Sequence, residues 1–329
     1  MTALVEARGL VKAYPLARTL AARLTRTPAP AVRAVNGVDL DIARGETLGL
    51  IGESGCGKST LGRLLIRLHD PTGGSIRFDG QDITALSEDA LRPLRPRMQI
   101  VFQDPYASLN PRRTVREIVG LPLALHAGLR GAEAETRILQ MLDRVGLARA
   151  HMDRYPHQFS GGQRQRIGIA RALILKPEFV VCDEPVSALD VSVQAQVLGL
   201  LRDLRAEMGL TLLFVSHDLA VVAHLAHRIA VMYLGAIVEE GPRDAVTKRP
   251  AHPYTRALLA AVPRLDQPGA PRKRHVGGDL PSPLAPPPGC PFHPRCPEAG
   301  PRCAREAPRA VPLEAGHRAA CHLLDGGVA

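Results

Sequence analysis

The feature that most constrains this chain is a short apolar run ending in a glycine-rich loop. Thr47-Leu48-Gly49-Leu50-Ile51 leads directly into Gly52-Glu53-Ser54-Gly55-Cys56-Gly57-Lys58-Ser59, and Thr60 to Leu68 then carries Leu61, Leu64, Leu65 and Leu68 at helical spacing. Strand, loop and helix in that order make a βα unit, which belongs in a parallel sheet covered by helices. The loop fits G-x-x-x-x-G-K-[ST], where glycine lets the backbone curl around an anion with its amide N–H groups inward. The following helix turns its positive dipole end to the same place. Gly52, Glu53, Ser54, Gly55, Cys56, Gly57, Lys58, Ser59 and Thr60 are therefore the expected nucleotide-binding residues. Lys58 is expected on the β- and γ-phosphates and Ser59 as a Mg²⁺ ligand. Cys56 lies near a helix N-terminus, which lowers a thiol pKa. It is either a redox-sensitive position or a small residue tolerated at a variable one.

Four more runs share the character of the first: Met98–Phe102, Phe179–Cys182, Thr211–Val215 and Ile229–Met232. Such runs suit strands buried on both faces. Amphipathic stretches lie between them. In Thr136 to Leu147, Ile138, Met141, Leu142 and Val145 share one helical face, with Gly146 as terminator. The stretch from about 106 to 160 holds several such patterns and no strong strand run, so a helical insertion into an α/β core is expected. Pro15 to Arg33 carries four Arg and no acid, as a basic surface loop or short helix would. Near residue 250 the composition shifts, with fifteen of the 29 prolines and four of the six cysteines beyond it.

No apolar stretch reaches the ~18 residues that a membrane helix requires. The best candidate, Thr211 to Val238, is broken by His217, Asp218, His224, His227 and Arg228. Glu6 and the early alternation argue against a secretory signal, so a cytoplasmic protein is expected, with any membrane crossed by another chain. The net charge of +10 fits either a solvated Arg-rich face or attraction to nucleic acid or anionic lipid. Only 11 Phe and Tyr, no Trp, and no basic tract interleaved with aromatics argue against nucleic acid.

A nucleotide site of this kind needs a carboxylate for the metal at the end of a buried strand. Phe179-Val180-Val181-Cys182 followed by Asp183-Glu184 supplies one. Asp183 is expected to bind Mg²⁺ and Glu184 to polarise the attacking water as general base. Ser160-Gly161-Gly162-Gln163 opens a helix pattern in which Ser160 is the N-cap and Ile167, Ala170 and Ile174 form the apolar stripe. Read alone, this is a plain helix start. Beside the first loop it is a second anion cradle, and one triphosphate needs only one. The second is then expected to serve a nucleotide held by a different subunit.

These motifs together resemble the ATP-binding subunit of an ABC transporter, over residues 1 to about 250. Gly52 to Ser59 matches the Walker A loop and Phe179 to Asp183 the Walker B strand, with Glu184 after it. Phe159-Ser160-Gly161-Gly162-Gln163 matches the signature, Gln103 the Q-loop, Ser187-Ala188-Leu189-Asp190 the D-loop, and Ser216-His217-Asp218 the switch histidine. Tyr14 falls where the family stacks an aromatic ring on adenine; ordinary packing is the alternative. The resemblance implies a RecA-like P-loop NTPase core of α/β class with a parallel sheet, an antiparallel β subdomain, and a helical signature subdomain at about 104–165. It further implies ATP and Mg²⁺, the metal held by Ser59, Gln103 and Asp183. Gln103 would sense the metal and γ-phosphate, His217 would contact the γ-phosphate, and Asp190 would bridge two ATPase subunits. ATP held between the Walker loop of one subunit and the signature of the other would close the dimer, and hydrolysis would open it.

After Ala251-His252-Pro253-Tyr254-Thr255 a proline-rich stretch leads to Gly289-Cys290-Pro291-Phe292-His293-Pro294-Arg295-Cys296-Pro297. Residues 251–329 resemble the C-terminal extension of oligopeptide/dipeptide importer ATPases and are expected to be small and irregular. Phe102 to Pro111 with Phe159 to Arg164 resembles the F-type member, which implies a D-type partner ATPase or an identical copy. Two membrane permeases and an extracytoplasmic binding protein would complete the assembly, with this chain peripheral on the cytoplasmic face. Related importers of nickel, glutathione or other small solutes share these features. A soluble ABC ATPase acting on ribosome or nucleic acid is a lower alternative, since one set of motifs with roughly 100 residues between Lys58 and Ser160 leaves no room for a long coiled coil. An exporter ATPase is disfavoured by the extension. Cys290, Cys296, Cys303 and Cys321 are spaced C-x5-C-x6-C-x17-C. They suit a [4Fe–4S] cluster with Cys₄ ligation or uncoordinated thiols, zinc less so because no C-x2-C pair occurs. His293, His317 and His322 are spare ligand candidates or surface residues.

Overall fold

The computed structural model describes residues 2–16, 31–261, 279–314 and 316–325. Its strands are β1 (Ala3–Pro15), β2 (Ala31–Ala43), β3 (Thr47–Ile51), β4 (Gly73–Phe78), β5 (Gln81–Asp82), β6 (Met98–Val101), β7 (Phe179–Asp183), β8 (Thr211–Ser216), β9 (Arg228–Tyr233), β10 (Ala236–Pro242), β11 (Ala310–Glu314) and β12 (His317–Ala320). The longer helices are α1 (Lys58–Leu65), α2 (Val115–Pro122), α3 (Gly131–Arg144), α4 (Gly161–Leu173), α5 (Val191–Met208), α6 (Leu219–Leu225), α7 (Arg243–Lys248) and α8 (Pro253–Ala261). All five apolar runs are strands, each within a residue of its expected limits at both ends. The chain divides into two compact units. One comprises Met1–Leu4, Ile42–Thr47 and Ala85–Ser216, the other Val5–Asp41, Leu48–Thr84 and His217–Ala329.

The first unit is built on the parallel strands β6, β7 and β8, in register from Met98 opposite Phe179 and Phe179 opposite Thr211. Every residue of β7 and β8 is buried, which is why these segments are continuously apolar rather than alternating. Helices α2, α3 and α4 pack on one another, and α4 also packs on β6 and α5. Helix α3 starts at Gly131, earlier than the periodicity suggested, because its first turn buries only Ala134. It ends at Arg144, with Val145 buried beyond it and Gly146 in the left-handed region at φ 71°.

The second unit holds an antiparallel sheet in the order β2-β1-β4-β5, as expected for a β subdomain, and the strands β11-β12-β10-β9-β3 of a second sheet. Strands β3 and β9 run parallel, Leu48 opposite Arg228 to Ile51 opposite Val231. Gly49 lets β3 approach α6, since a Cβ there would lie 2.1 Å from Val222 Cγ1. Strands β9 and β10 turn through Leu234 and Gly235, both at positive φ, as a tight right-twisted hairpin requires.

The C-terminal extension departs from the expected irregularity. Strand β12 pairs antiparallel with β10, Glu239 opposite Ala319, and β11 pairs with β12. Strand β11 is largely exposed and contains Pro312, which a sheet edge tolerates because no further strand needs its N–H. Such a strand carries no apolar signal. Most of the basic segment from Pro15 to Arg33 lies outside the described residues. Among the described residues no helix is long and apolar enough to cross a membrane.

Candidate nucleotide site

The loop between β3 and α1 takes its shape from three glycines. Gly52, Gly55 and Gly57 have φ of 156°, 81° and 108°. A Cβ on Gly52 would lie 2.2 Å from the Met232 carbonyl oxygen, and one on Gly57 would lie 2.0 Å from that of Ala34. Both obstacles are backbone, so these positions accept only glycine. Lys58 is buried, and its ammonium donates to the carbonyls of Gly52 at 2.8 Å and Glu53 at 2.9 Å. The Gly235 N–H at the β9–β10 turn donates to the Cys56 carbonyl at 2.9 Å, bracing the loop from outside. Helix α1 starts at Lys58 with Gly57 as a left-handed N-cap and no side-chain cap, so its positive end carries no internal carboxylate. The curled backbone and the helix start together form an anion cradle.

At Cys56 the structure favours the small tolerated residue over the redox-sensitive position. Burial pushes its thiol pKa up, and the nearby Lys58 charge only partly opposes this. Desolvation of the thiolate outweighs the helix dipole. The residue is therefore a buried small side chain rather than an activated thiol.

In the other unit, β7 ends at Asp183, which is fully buried. Glu184 follows with φ at 45°, a left-handed conformation that a branched or long side chain rarely adopts. Its N–H donates to the Val215 carbonyl at 3.1 Å, and its own carbonyl accepts from the Ser187 hydroxyl at 3.1 Å. These bonds turn the chain sharply off the strand. The Gln103 side-chain amide donates to the Glu184 carboxylate at 3.0 Å. Two residues expected to act at the metal and the attacking water thus touch directly. The left-handed backbone at Glu184 has no sequence signal, since glycine or asparagine is the usual marker.

Ser160 caps α4 as expected. Its hydroxyl accepts from the Gln163 N–H at 3.3 Å, and the Gln163 side chain accepts from the Ser160 N–H at 3.1 Å, completing a capping box. Gly162 has a packing reason of its own, because a Cβ there would lie 2.4 Å from Val193 Cγ1 of α5. Ser160 and Gly161 are exposed. Asp190 caps α5 through its carbonyl, which accepts from the Gln194 N–H at 2.8 Å, while its side chain makes no cap bond. Next to it Val191 is 82% exposed.

His217 is exposed just beyond β8, and Asp218 caps α6 by accepting from Ala220 N–H at 2.8 Å. Tyr14, near the end of β1, has the Lys12 ammonium 5.0 Å from its ring centroid and the His69 ring edge-on at 6.3 Å. Among the described residues no three His, Cys, Asp or Glu side chains gather into a metal-binding group, and all six cysteines are free thiols. Burial holds Cys290 near pKa 11 and raises Cys296 and Cys321, and each of these three also feels charge from at least one other cysteine of the extension. His317 is buried against Glu239, with its Nε2 2.9 Å from the carboxylate, and is a structural residue of the hairpin.

A phosphate loop after a buried parallel strand, a buried aspartate followed by a twisted glutamate, and a capped Ser-Gly-Gly-Gln helix define an ATP-binding cassette ATPase. The ABC transporter family matches residues 35–187, and the family described as oligopeptide/dipeptide transporter, C-terminal region, matches residues 238–303. The chain is 49% identical to the oligopeptide transport ATP-binding protein AppF of Bacillus subtilis, covering 97% of each. It is 48% identical to the dipeptide transport ATP-binding protein DppF of Escherichia coli, over 98% of this chain and 95% of that one. Among solved structures it resembles a dimeric ATP-binding cassette in a post-hydrolysis state bound to ADP and Pi. That likeness has TM-score 0.63 and 32% identity, and covers 73% of this chain and 98% of the cassette. The chain belongs to the family of ABC transporter ATP-binding subunits.

Proposed function

We propose that this chain hydrolyses ATP to power peptide import through a membrane transporter. The observation that carries the ATPase reading is Glu184, held on a left-handed backbone and in contact with Gln103 immediately after the buried Asp183. A strained residue with a polar side chain persists where its geometry serves a purpose. Mg²⁺ would supply charge neutralisation at the transferring phosphoryl group. Ser59, Gln103 and Asp183 would hold it, and the buried Asp183 and the glycine cradle suit a cation and its phosphates. Lys58 and the loop N–H groups bind phosphate oxygens. Glu184 accepts the proton of the attacking water, Gln103 orients that carboxylate, and His217 contacts the γ-phosphate. Tyr14 contributes a ring face to the adenine.

Ser160, Gly161, Gly162 and Gln163 act on the nucleotide of a second ATPase, and Asp190 bridges the pair. The exposure of Ser160, Gly161, Asp190 and Val191 supports a partner there, either a D-type paralogue or a second copy. Peptide import rests on the match to the oligopeptide/dipeptide C-terminal region and on relatives named for oligopeptide and dipeptide transport. The same family match supports two permeases that cross the membrane, with this chain on their cytoplasmic face and an external binding protein supplying the solute.

The test is affinity purification of the full chain from membranes, followed by ATPase assay of the recovered complex in lipid. Recovery of two permeases and stimulation by peptide-loaded binding protein is expected. Stimulation by nickel or glutathione instead moves the reading to a related importer, and recovery of ribosomes overturns it. A finer reading concerns the thiols. Cys290, Cys296, Cys303 and Cys321, four thiols in one short segment, are either ligands of a [4Fe–4S] cluster or uncoordinated thiols. They do not form a ligand group as placed. Absence of thiolate-to-iron absorption after anaerobic reconstitution with iron and sulfide would remove the cluster.

A further inference from the structure

Glu53 occupies a variable position of the phosphate loop, yet both its backbone and its side chain are held. Its carboxylate makes two parallel hydrogen bonds with Arg295, Nη1 to Oε2 at 2.8 Å and Nη2 to Oε1 at 3.0 Å. The Arg295 side chain is 7% exposed, although it comes from the C-terminal extension. The Glu53 N–H donates to the Tyr254 hydroxyl at 2.8 Å. Tyr254 belongs to α8, so both the backbone and the side chain of Glu53 are anchored in the C-terminal third of the chain.

The anchor is buried and closely packed. Tyr233, Tyr254 and Phe292 are fully buried and pack with ring centroids 4.7, 5.3 and 5.4 Å apart. The Arg295 guanidinium lies 5.8 Å from the Tyr233 ring centroid and donates to its hydroxyl at 3.4 Å. Burial disfavours the Arg295 charge, but Glu53 and Tyr233 outweigh it and its pKa is raised. Arg295 ends a tight turn in which its N–H donates to Phe292 at 3.0 Å and the Cys296 N–H donates to His293 at 3.3 Å. The Cys290 N–H donates to Cys303 at 2.8 Å and closes the base of that turn.

We propose that Arg295 is a positioning residue of the nucleotide site. By clasping Glu53 it fixes the segment whose carbonyls seat Lys58, so the extension sets how tightly the loop holds nucleotide phosphates. The proposal rests on the reading of Gly52 to Ser59 as the ATP loop. A planar bidentate clasp orients Glu53 in a way that a point charge cannot, so lysine is not an equivalent of Arg295. Small displacements of groups that seat a ligand weaken it steeply.

The experiment measures binding of a fluorescent ATP analogue with Mg²⁺ to the full chain, alongside its thermal melting. Arg295→Met and Glu53→Gln are each expected to weaken binding on the order of tenfold in protein that melts cooperatively. Arg295→Lys is expected to recover little, and the reversed pair Glu53→Arg with Arg295→Glu most of the loss. In turnover assays KM should rise more than kcat falls. If Arg295→Met lowers the melting temperature while the folded protein binds nucleotide as wild type does, the clasp is only a fold clamp and the proposal is overturned. Should Arg295→Met fail to fold, wild-type affinity in Glu53→Gln overturns it equally. Lys58→Ala separates the two ideas: if it binds nucleotide as wild type does, the reading of the loop is at fault instead.

Discussion

The phosphate loop and the turn after β7 both require backbone that L-residues avoid, and they meet the requirement in opposite ways. The loop uses Gly52, Gly55 and Gly57, which adopt positive φ without side-chain strain. The turn uses Glu184 at φ 45°, where a side chain costs roughly 1–2 kcal/mol. At these three positions the loop works through its N–H groups, so the absence of a side chain there loses nothing. The turn works through a carboxylate, which glycine cannot supply. At residue 184 the strain is retained where the side chain is the proposed reagent.

The largest expected effect bears on that reagent. Glu184→Gln keeps the size, the backbone and an oxygen that can accept from Gln103, so only the base is removed. ATP turnover should fall by about 100-fold or more while nucleotide affinity stays within about twofold. Comparison of single-turnover hydrolysis with equilibrium binding checks this. Near-normal hydrolysis would place the base elsewhere and leave the strain at Glu184 without a reason. Next comes Gly57→Ala. The new methyl would meet the Ala34 carbonyl oxygen at 2.0 Å, an obstacle that cannot rotate away, at a φ of 108°. A loss of about 3 kcal/mol in urea unfolding is expected, together with loss of nucleotide binding. A variant as stable as wild type would mean that the loop's glycines are dispensable.

The same contrast explains how much could be read in advance. Glycine spacing and fully buried strands write themselves into sequence, which is why β3, β7, β8 and the loop were legible along with Asp183, Ser160 and Lys58. Strands β11 and β12 were not, because β11 is a largely exposed edge strand with Pro312 and β12 is only four residues long, too short to show an apolar pattern. The conformation of Glu184 was invisible because any residue type can be forced into it by its neighbours. Arg295 was hidden by distance, since it lies 242 residues from Glu53 and reads locally as one more basic residue in a proline-rich segment. For Cys56 the local motif was visible but the burial was not, and burial decided the sign of its pKa shift.

The smallest effect separates strain from chemistry at residue 184. Glu184→Gly and Glu184→Ala both delete the carboxylate and the contact with Gln103, so both should lose hydrolysis to the same extent. They differ only in what the left-handed backbone costs. Alanine keeps a Cβ against the following carbonyl, whereas glycine does not. Glycine recovers the strain but also orders a more flexible unfolded chain, which returns part of the gain. The net difference should favour Glu184→Gly over Glu184→Ala by about 1 kcal/mol, a melting temperature higher by about 2 °C. A Glu184→Gly variant less stable than Glu184→Ala would show that the backbone at 184 carries no strain, because only the unfolded-chain cost of glycine would then remain. The turn after β7 would then be held as comfortably as the glycine loop, and the contrast between the two regions would disappear.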